Sequence, residues 1–178
     1  MTIDDKLLGF PPVVGEGASV LILGSMPSAI SLRTQQYYAH KQNAFWPIMG
    51  ALFGALPILP YEHRKLILIQ HYIAVWDVLH SCQRPGSLDA NIDGATVVMN
   101  NFADFFDQYN GISHVFFNGA AAEKLYKKHD MVKQNQFREI TYQRLPSTSP
   151  AYASLKLQEK IAQWQVVSQS ASTLLAKK

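Results

Sequence analysis

Val20–Met49, VLILGSMPSAISLRTQQYYAHKQNAFWPIM, is the stretch around which the rest of the chain is organised. It opens on a short β-branched and apolar run, breaks at Gly24, crosses a polar and aromatic loop, and resumes an apolar pattern at Ala44. That order reads as a strand, a long loop and the start of a helix. Ser25, Met26, Pro27 and Ser28 follow the carboxyl end of the strand, where open α/β sheets bind their ligands. Tyr37, Tyr38, His40, Lys41, Gln42 and Asn43 then gather stacking and hydrogen-bonding groups ahead of Phe45 and Trp46. A loop this long is usually functional.

Outward from this stretch, strands and helices alternate. Leu8–Gly17, broken by prolines and glycines, reads as an extended arm laid on the domain, and Ala18–Gly24 as the first strand. A helix is expected over Ala44–Ala55, with Asn43 at its N-cap, and another over Pro60–His71, with His63, Arg64 and Lys65 facing water. His71–Leu79 reads as the second strand and Ser81–Asp93 as a loop. Asn101–Tyr109 is expected as a short helix, His114–Asn118 as the third strand and Ala120–His129 as a helix with Lys124, Lys127 and Lys128 on its wet face. Phe137–Arg144 reads as the fourth strand. Ala153–Leu175 is expected as the final helix, with Leu155, Leu157, Ile161, Trp164 and Val167 as its core stripe. The alternation predicts a three-layer α/β/α sandwich built on a parallel sheet.

Composition narrows the class. The 178 residues suit one domain, 1–178, that buries about two-thirds of the surface its unfolded chain exposes. Sixteen Lys and Arg against thirteen Asp and Glu give 16 − 13 = +3, which permits a nucleic-acid partner through a local patch only. One cysteine, Cys82, rules out an intrachain disulfide and leaves too few thiolates for a four-cysteine iron-sulfur cluster or zinc site. Cys82 itself reads as a small packing residue. No apolar run is long enough to span a membrane and the N-terminus lacks a signal-peptide pattern, so a cytoplasmic monomer is expected. GSMPS has one glycine and no following Gly-Lys, so it is a weak signal for a nucleotide-binding phosphate loop, and the Gly-x-Ser-x-Gly elbow of a serine hydrolase is absent.

GSMPS at Gly24, YYAH at Tyr37 and NAFWPIM at Asn43 together resemble the uracil-DNA glycosylase superfamily, most closely its hypoxanthine (deoxyinosine) DNA glycosylase branch. AVWDVLHSCQRPGSLDANI from Ala74, FADFF from Phe102, VFFNGAAAEKLY from Val115 and LPSTSPA from Leu145 continue the resemblance in order. The resemblance implies a central four-stranded parallel sheet and a cofactor-free repair enzyme acting on damaged DNA. Its expected reaction is hydrolysis of the N-glycosidic bond of deaminated bases, chiefly hypoxanthine. A uracil or G:U mismatch-directed glycosylase and a catalytically silent damaged-DNA-binding module are the alternatives.

Base release makes the sugar positive and the base negative while a water meets the opposite face of C1′. Most of the superfamily carries Asp or Asn in the third place of the GSMPS motif; here that place is Met26. In the hypoxanthine branch the Asn before the aromatic pair takes over, which implies Asn43 as the residue that holds the water, compatibly with a helix-cap role. A flipped base needs a platform, at Phe45 by motif position, although Phe45 equally suits the helix core. Gly24, Ser25 and Met26 would line the base pocket. Hypoxanthine and uracil both set a carbonyl beside a ring N–H, so an ionised Asp77 could accept from that edge; pairing with Arg84 or capping a loop is as good a reading. Asn118 is a pocket residue or a turn residue before Gly119. The resemblance implies DNA contacts for Ser147, Thr148, Ser149 and Pro150, while LPSTSPA alone is a turn before a helix. Ser28 is expected to meet DNA as well, and His40 to bond a phosphate or polarise the leaving base, although a lone loop histidine more often does neither. Lys41 is the lysine nearest the site should strand cleavage by imine chemistry occur.

Overall fold

Leu21, Leu23, Ala74, Trp76, Val115 and Phe117 bury on one face of a central sheet, and Val20, Ile22, Ile73, Val75 and Phe116 on the other. In the computed structural model, which describes residues 6–129 and 138–175, these side chains belong to three of its four parallel strands. Taken in chain order, the elements are β1 (Lys6–Leu8), β2 (Val20–Gly24), α1 (Ala29–Thr34), α2 (Phe45–Phe53) and α3 (Tyr61–Gln70). Then come β3 (Ile73–Asp77), β4 (Leu79–Gln83), a 3-10 turn (Asp89–Asn91), β5 (Val98–Met99), α4 (Phe102–Gln108) and β6 (His114–Asn118). The chain closes with α5 (Ala120–Lys128), β7 (Thr141–Leu145) and α6 (Leu157–Leu175).

The central sheet runs β3-β2-β6-β7, all parallel. Strands buried on both faces read as continuous apolar runs, as β2 and β3 do. Phe102, Phe105, Phe106, Ala122 and Tyr126 from α4 and α5 cover one face. Phe45, Ile48, Met49, Leu68, Trp164 and Val167 from α2, α3 and α6 cover the other, which completes the three-layer α/β/α sandwich. The chain leaves β2 toward β3 on one side and later reaches β6 on the other, and a crevice opens outside the carboxyl ends of strands at such a reversal. Register brings Gly24 opposite Asp77, and Asn118 opposite Leu145, so all four strands end beside one another.

Several expectations need correction. A second sheet, antiparallel in the order β1-β4-β5, turns part of the expected Ser81–Asp93 loop into strand; β1 pairs Lys6 with Gln83 and Leu8 with Ser81. The loop after Gly24 contains α1, whose first turn is capped by Ser28 Oγ accepting from the Ser31 N–H at 3.2 Å. The arm does lie on the domain: Val13 bridges to Val75, and the Trp76 indole donates to Phe10 O at 3.0 Å. Arg64 is buried because its guanidinium stacks on the Trp46 ring, 4.4 Å from the centroid, and Nε donates to Leu59 O. The fourth strand begins at Thr141, and Phe137 lies outside the described residues. The final helix begins at Leu157, which is exposed; its buried stripe is Lys160, Trp164, Val167 and Ala171. Cys82 is fully buried. Among the described residues no helix is long and apolar enough to cross a membrane.

Candidate active site

A cavity of about 100 Å³ opens at the carboxyl edge of the central sheet. Gly24, Ser25, Met26, Pro27 and Ser28 line it from the end of β2, Asp77 from β3, Asn118 from β6 and Ser147, Thr148 and Ser149 from the segment after β7. Tyr37, Tyr38 and Asn43 enter from the loop before α2, and Asp89 from the 3-10 turn. Motifs far apart in the chain converge because each follows the same end of a parallel strand.

Asn43 borders the cavity but is not the N-cap of α2, a position held by Ala44. Its Oδ1 accepts from the Phe45 N–H at 2.9 Å, which still fixes the amide against the start of the helix. A carbonyl oxygen has two lone pairs, so this contact leaves one acceptor direction unused by Phe45.

Phe45 is not a cavity wall. It is fully buried, edge-on to Trp46 and Trp164, and of the two tyrosines beside the cavity Tyr38 is the one stacked on it, at 4.0 Å and 20°. Tyr38 has φ 55°, a left-handed backbone uncommon for an aromatic residue and frequent at functional sites. Burial, with Asp77 adding to it, holds its hydroxyl pKa far above the usual phenol range; Asn118 nearby slightly eases the ionised form, without hydrogen-bond geometry.

Asp77 is 3% exposed, and its Oδ2 is buried with no hydrogen-bond partner. Burial, reinforced by Asp89 and opposed by Arg84, raises its pKa to about 8. It is therefore mainly an acid at neutral pH, able to donate as well as accept, where the sequence suggested an ionised acceptor. Nor is it paired with Arg84. That guanidinium, buried itself, donates to Pro27 O, Met26 O and Gly86 O and lies 3.8 Å from Asp89. Arg84 thus shapes the loop after β2 and anchors the turn carrying Asp89, whose Oδ1 accepts from Ser25 Oγ at 2.7 Å. Burial raises the Asp89 pKa, against the opposing effects of Ser25 and Arg84.

Asn118 spends its amide on Thr148: Oδ1 accepts from the Thr148 N–H and Nδ2 donates to Oγ1, both at 2.8 Å. Thr148 is 1% exposed, and its carbonyl accepts from the Ala44 N–H, so it fastens the LPSTSPA segment and does not offer its hydroxyl to a phosphate. Ser147 and Ser149 stand at the cavity and cap successive N–H groups of the turn, while Pro150 is exposed. Ser28 lines the cavity while capping α1. His40 does not border it; its Nδ1 accepts from the Gln42 N–H. Lys41 does not border it either. Met26, in the motif's third place, is buried in the core and touches the cavity.

Sequence reasoning missed Ser31, Tyr37, Tyr38, Ser87 and Asp89 as cavity residues. Tyr38 stood within the quoted aromatic cluster; nothing in the chain before Asp89 signalled that its loop would fold back. Among the described residues no group of three or more His, Cys, Asp or Glu is arranged to hold a metal ion.

Residues 11–168 match the family model described as Uracil DNA glycosylase superfamily. A "Hypoxanthine DNA glycosylase" of Methanosarcina barkeri is 37% identical over 115 residues, 64% of this chain and 72% of that protein. One of the same name from Methanosarcina acetivorans is 36% identical over the same shares. A solution NMR structure of a candidate uracil DNA glycosylase from Methanosarcina acetivorans aligns with a TM-score of 0.76 at 29% identity. That alignment covers 94% of this chain and 99% of the other.

Proposed function

Because the chain belongs to the Uracil DNA glycosylase superfamily, we propose that it is a monofunctional DNA glycosylase that releases hypoxanthine from deoxyinosine by direct attack of water. The observation that carries this reading is the cavity itself: at about 100 Å³ it suits one ring system, with sugar and phosphate left outside. A duplex base can reach such a depth only by leaving the stack, at a cost of a few kcal/mol. Stacking on the Tyr38 ring, backed by Phe45, offsets roughly 1–3 kcal/mol of it.

Asn43 then holds the attacking water. An amide oxygen cannot act as a base, but it fixes one lone pair in line with the bond to be broken, and the oxocarbenium-like sugar makes weak nucleophilicity sufficient. Met26 supplies no such group, which leaves Asn43 as the cavity's amide not already committed on both ends, in contrast to Asn118. Ser147, Ser149 and Pro150, on a segment pinned by Asn118 and Ala44, meet the phosphates and minor groove of damaged DNA. The enzyme works as a monomer without metal, and the abasic strand stays intact since, among the described residues, no lysine borders the cavity.

The names of the curated relatives favour hypoxanthine over uracil as the chief base. Labelled duplexes and single strands carrying deoxyinosine or deoxyuridine decide the ranking. Alkali-labile sites should form fastest at deoxyinosine. Cleavage at deoxyuridine alone would move the chain to a uracil-directed activity, and tight binding to lesion DNA with no abasic sites would leave a binding module.

A further inference from the structure

We propose that Asp77 works as an un-ionised carboxylic acid, donating a hydrogen bond to the carbonyl oxygen of the flipped base and so holding the charge that the base acquires as it leaves. The inference deepens the glycosylase reading and rests on it.

The geometry is specific. Asp77 ends β3 opposite Gly24, and its carboxyl reaches the cavity because Gly24 has no side chain: a Cβ there would overlap Asp77 Oδ1 and come within 2.9 Å of Tyr38 Oη. Oδ2 is buried and unpartnered among the described atoms, and Asn100 Nδ2 fixes the backbone by donating to Asp77 O at 2.8 Å. No Lys, Arg or His of the described residues makes an ion pair with it. The titratable groups whose charge bears on it are Tyr37 and Tyr38 from the loop before α2, Tyr61 from α3, Asp89 from the 3-10 turn and Arg84 after β4. Arg84 is the cation among them, and it is committed to carbonyls of Met26, Pro27 and Gly86. A buried carboxyl without a counter-ion keeps its proton. Its pKa, raised to about 8 first by burial and then by Asp89, agrees.

A neutral carboxyl is complementary to a lactam edge. Its O–H meets the C6 carbonyl of hypoxanthine or the C4 carbonyl of uracil, and its C=O meets the adjacent ring N–H. When the bond between C1′ and the base nitrogen breaks, its electron pair passes to the base and spreads to that carbonyl oxygen. The water oxygen bonds to C1′ and gives its proton to solvent, and the base leaves as an anion that takes a proton after release. The O–H to oxygen contact strengthens as this charge grows, which is the differential stabilisation that lowers a barrier. An ionised Asp77 would set like charge against like charge at that moment.

The test is single-turnover base release from a deoxyinosine duplex between about pH 6 and about pH 10. Wild-type release should fall up to about tenfold per pH unit above the Asp77 titration. Asp77→Asn keeps an N–H donor and a C=O acceptor, so it should still release base, with the alkaline fall displaced to the higher pH at which the ring N–H of the base itself ionises. A carboxyl-carbon resonance titrating near the same pH in the free wild-type protein gives a second reading if the variant folds poorly. Wild-type release that rises with pH through this range, or a fall at the same pH in Asp77→Asn as in the wild type, overturns the role of Asp77 and leaves the glycosylase reading standing. No release of any base at any pH overturns both.

Discussion

Asn43→Ala should lower base release by about 100- to 1000-fold at the chemical step while changing affinity for lesion-bearing duplex by no more than about threefold. The asymmetry follows from where the side chain sits. Asn43 borders the cavity, and its Oδ1 already accepts from the Phe45 N–H, so it holds its place before any substrate arrives. Such preorganisation matters in the transition state, when water must be aligned with the breaking bond, and little for binding DNA. Losing the contact to Phe45 also costs stability, about 1 kcal/mol by analogy with helix caps, so the variant should be checked for folding by urea denaturation. Asn43→Asp is the companion variant: it retains an acceptor at the same place and should retain more release than Ala. A folded Asn43→Ala with wild-type turnover would mean that water is held elsewhere, with Asp89 the next group to test.

Gly24→Ala should abolish the cavity floor, lowering release by about 100-fold or more. A single methyl does this because of what it meets. Asp77 is held from below by Asn100 through its backbone, and Tyr38 is locked on Phe45 by stacking, so neither group at the end of β2 yields without loss. Overpacking of this kind costs about 1–3 kcal/mol, small enough for the protein to stay folded and for the loss of turnover to be read against an intact structure. Affinity for undamaged duplex should not change, since the segment after β7, proposed to meet the phosphates, is pinned independently by Asn118 and Ala44. Wild-type release from a folded Gly24→Ala would show that the flipped base does not reach the Asp77 carboxyl.

Much of this architecture was legible in the chain, for a reason particular to its strands. β2, β3 and β6 are buried on both faces, and such strands announce themselves as unbroken apolar runs. The second sheet was not legible. β1 and β5 span three and two residues, too few to show a period, and β4 carries His80, Ser81 and Gln83, which read as loop residues. The six-residue α1 was hidden likewise, its start marked only by Ser28, one polar residue among several.

The site divides along the same line. Residues at strand ends, such as Gly24, Asp77 and Asn118, could be gathered from sequence because topology brings parallel strand ends together. What each side chain does there depended on neighbours distant in the chain. Tyr38 rather than Phe45 faces the cavity because of a left-handed backbone that residue type does not reveal. Thr148 looked like a phosphate ligand until Asn118 claimed it. The Asp77 carboxyl reads as an anion in the sequence and as an acid in the fold, because burial outweighs Arg84, which is turned to other partners.

The most direct measurement is the amount of free hypoxanthine released, read by mass, from a deoxyinosine duplex held with excess enzyme, with the strand examined before and after alkali. One hypoxanthine per lesion, with a strand that breaks only after alkali, is the result expected of a water-attacking glycosylase. A duplex that is bound yet yields no free base would contradict the account.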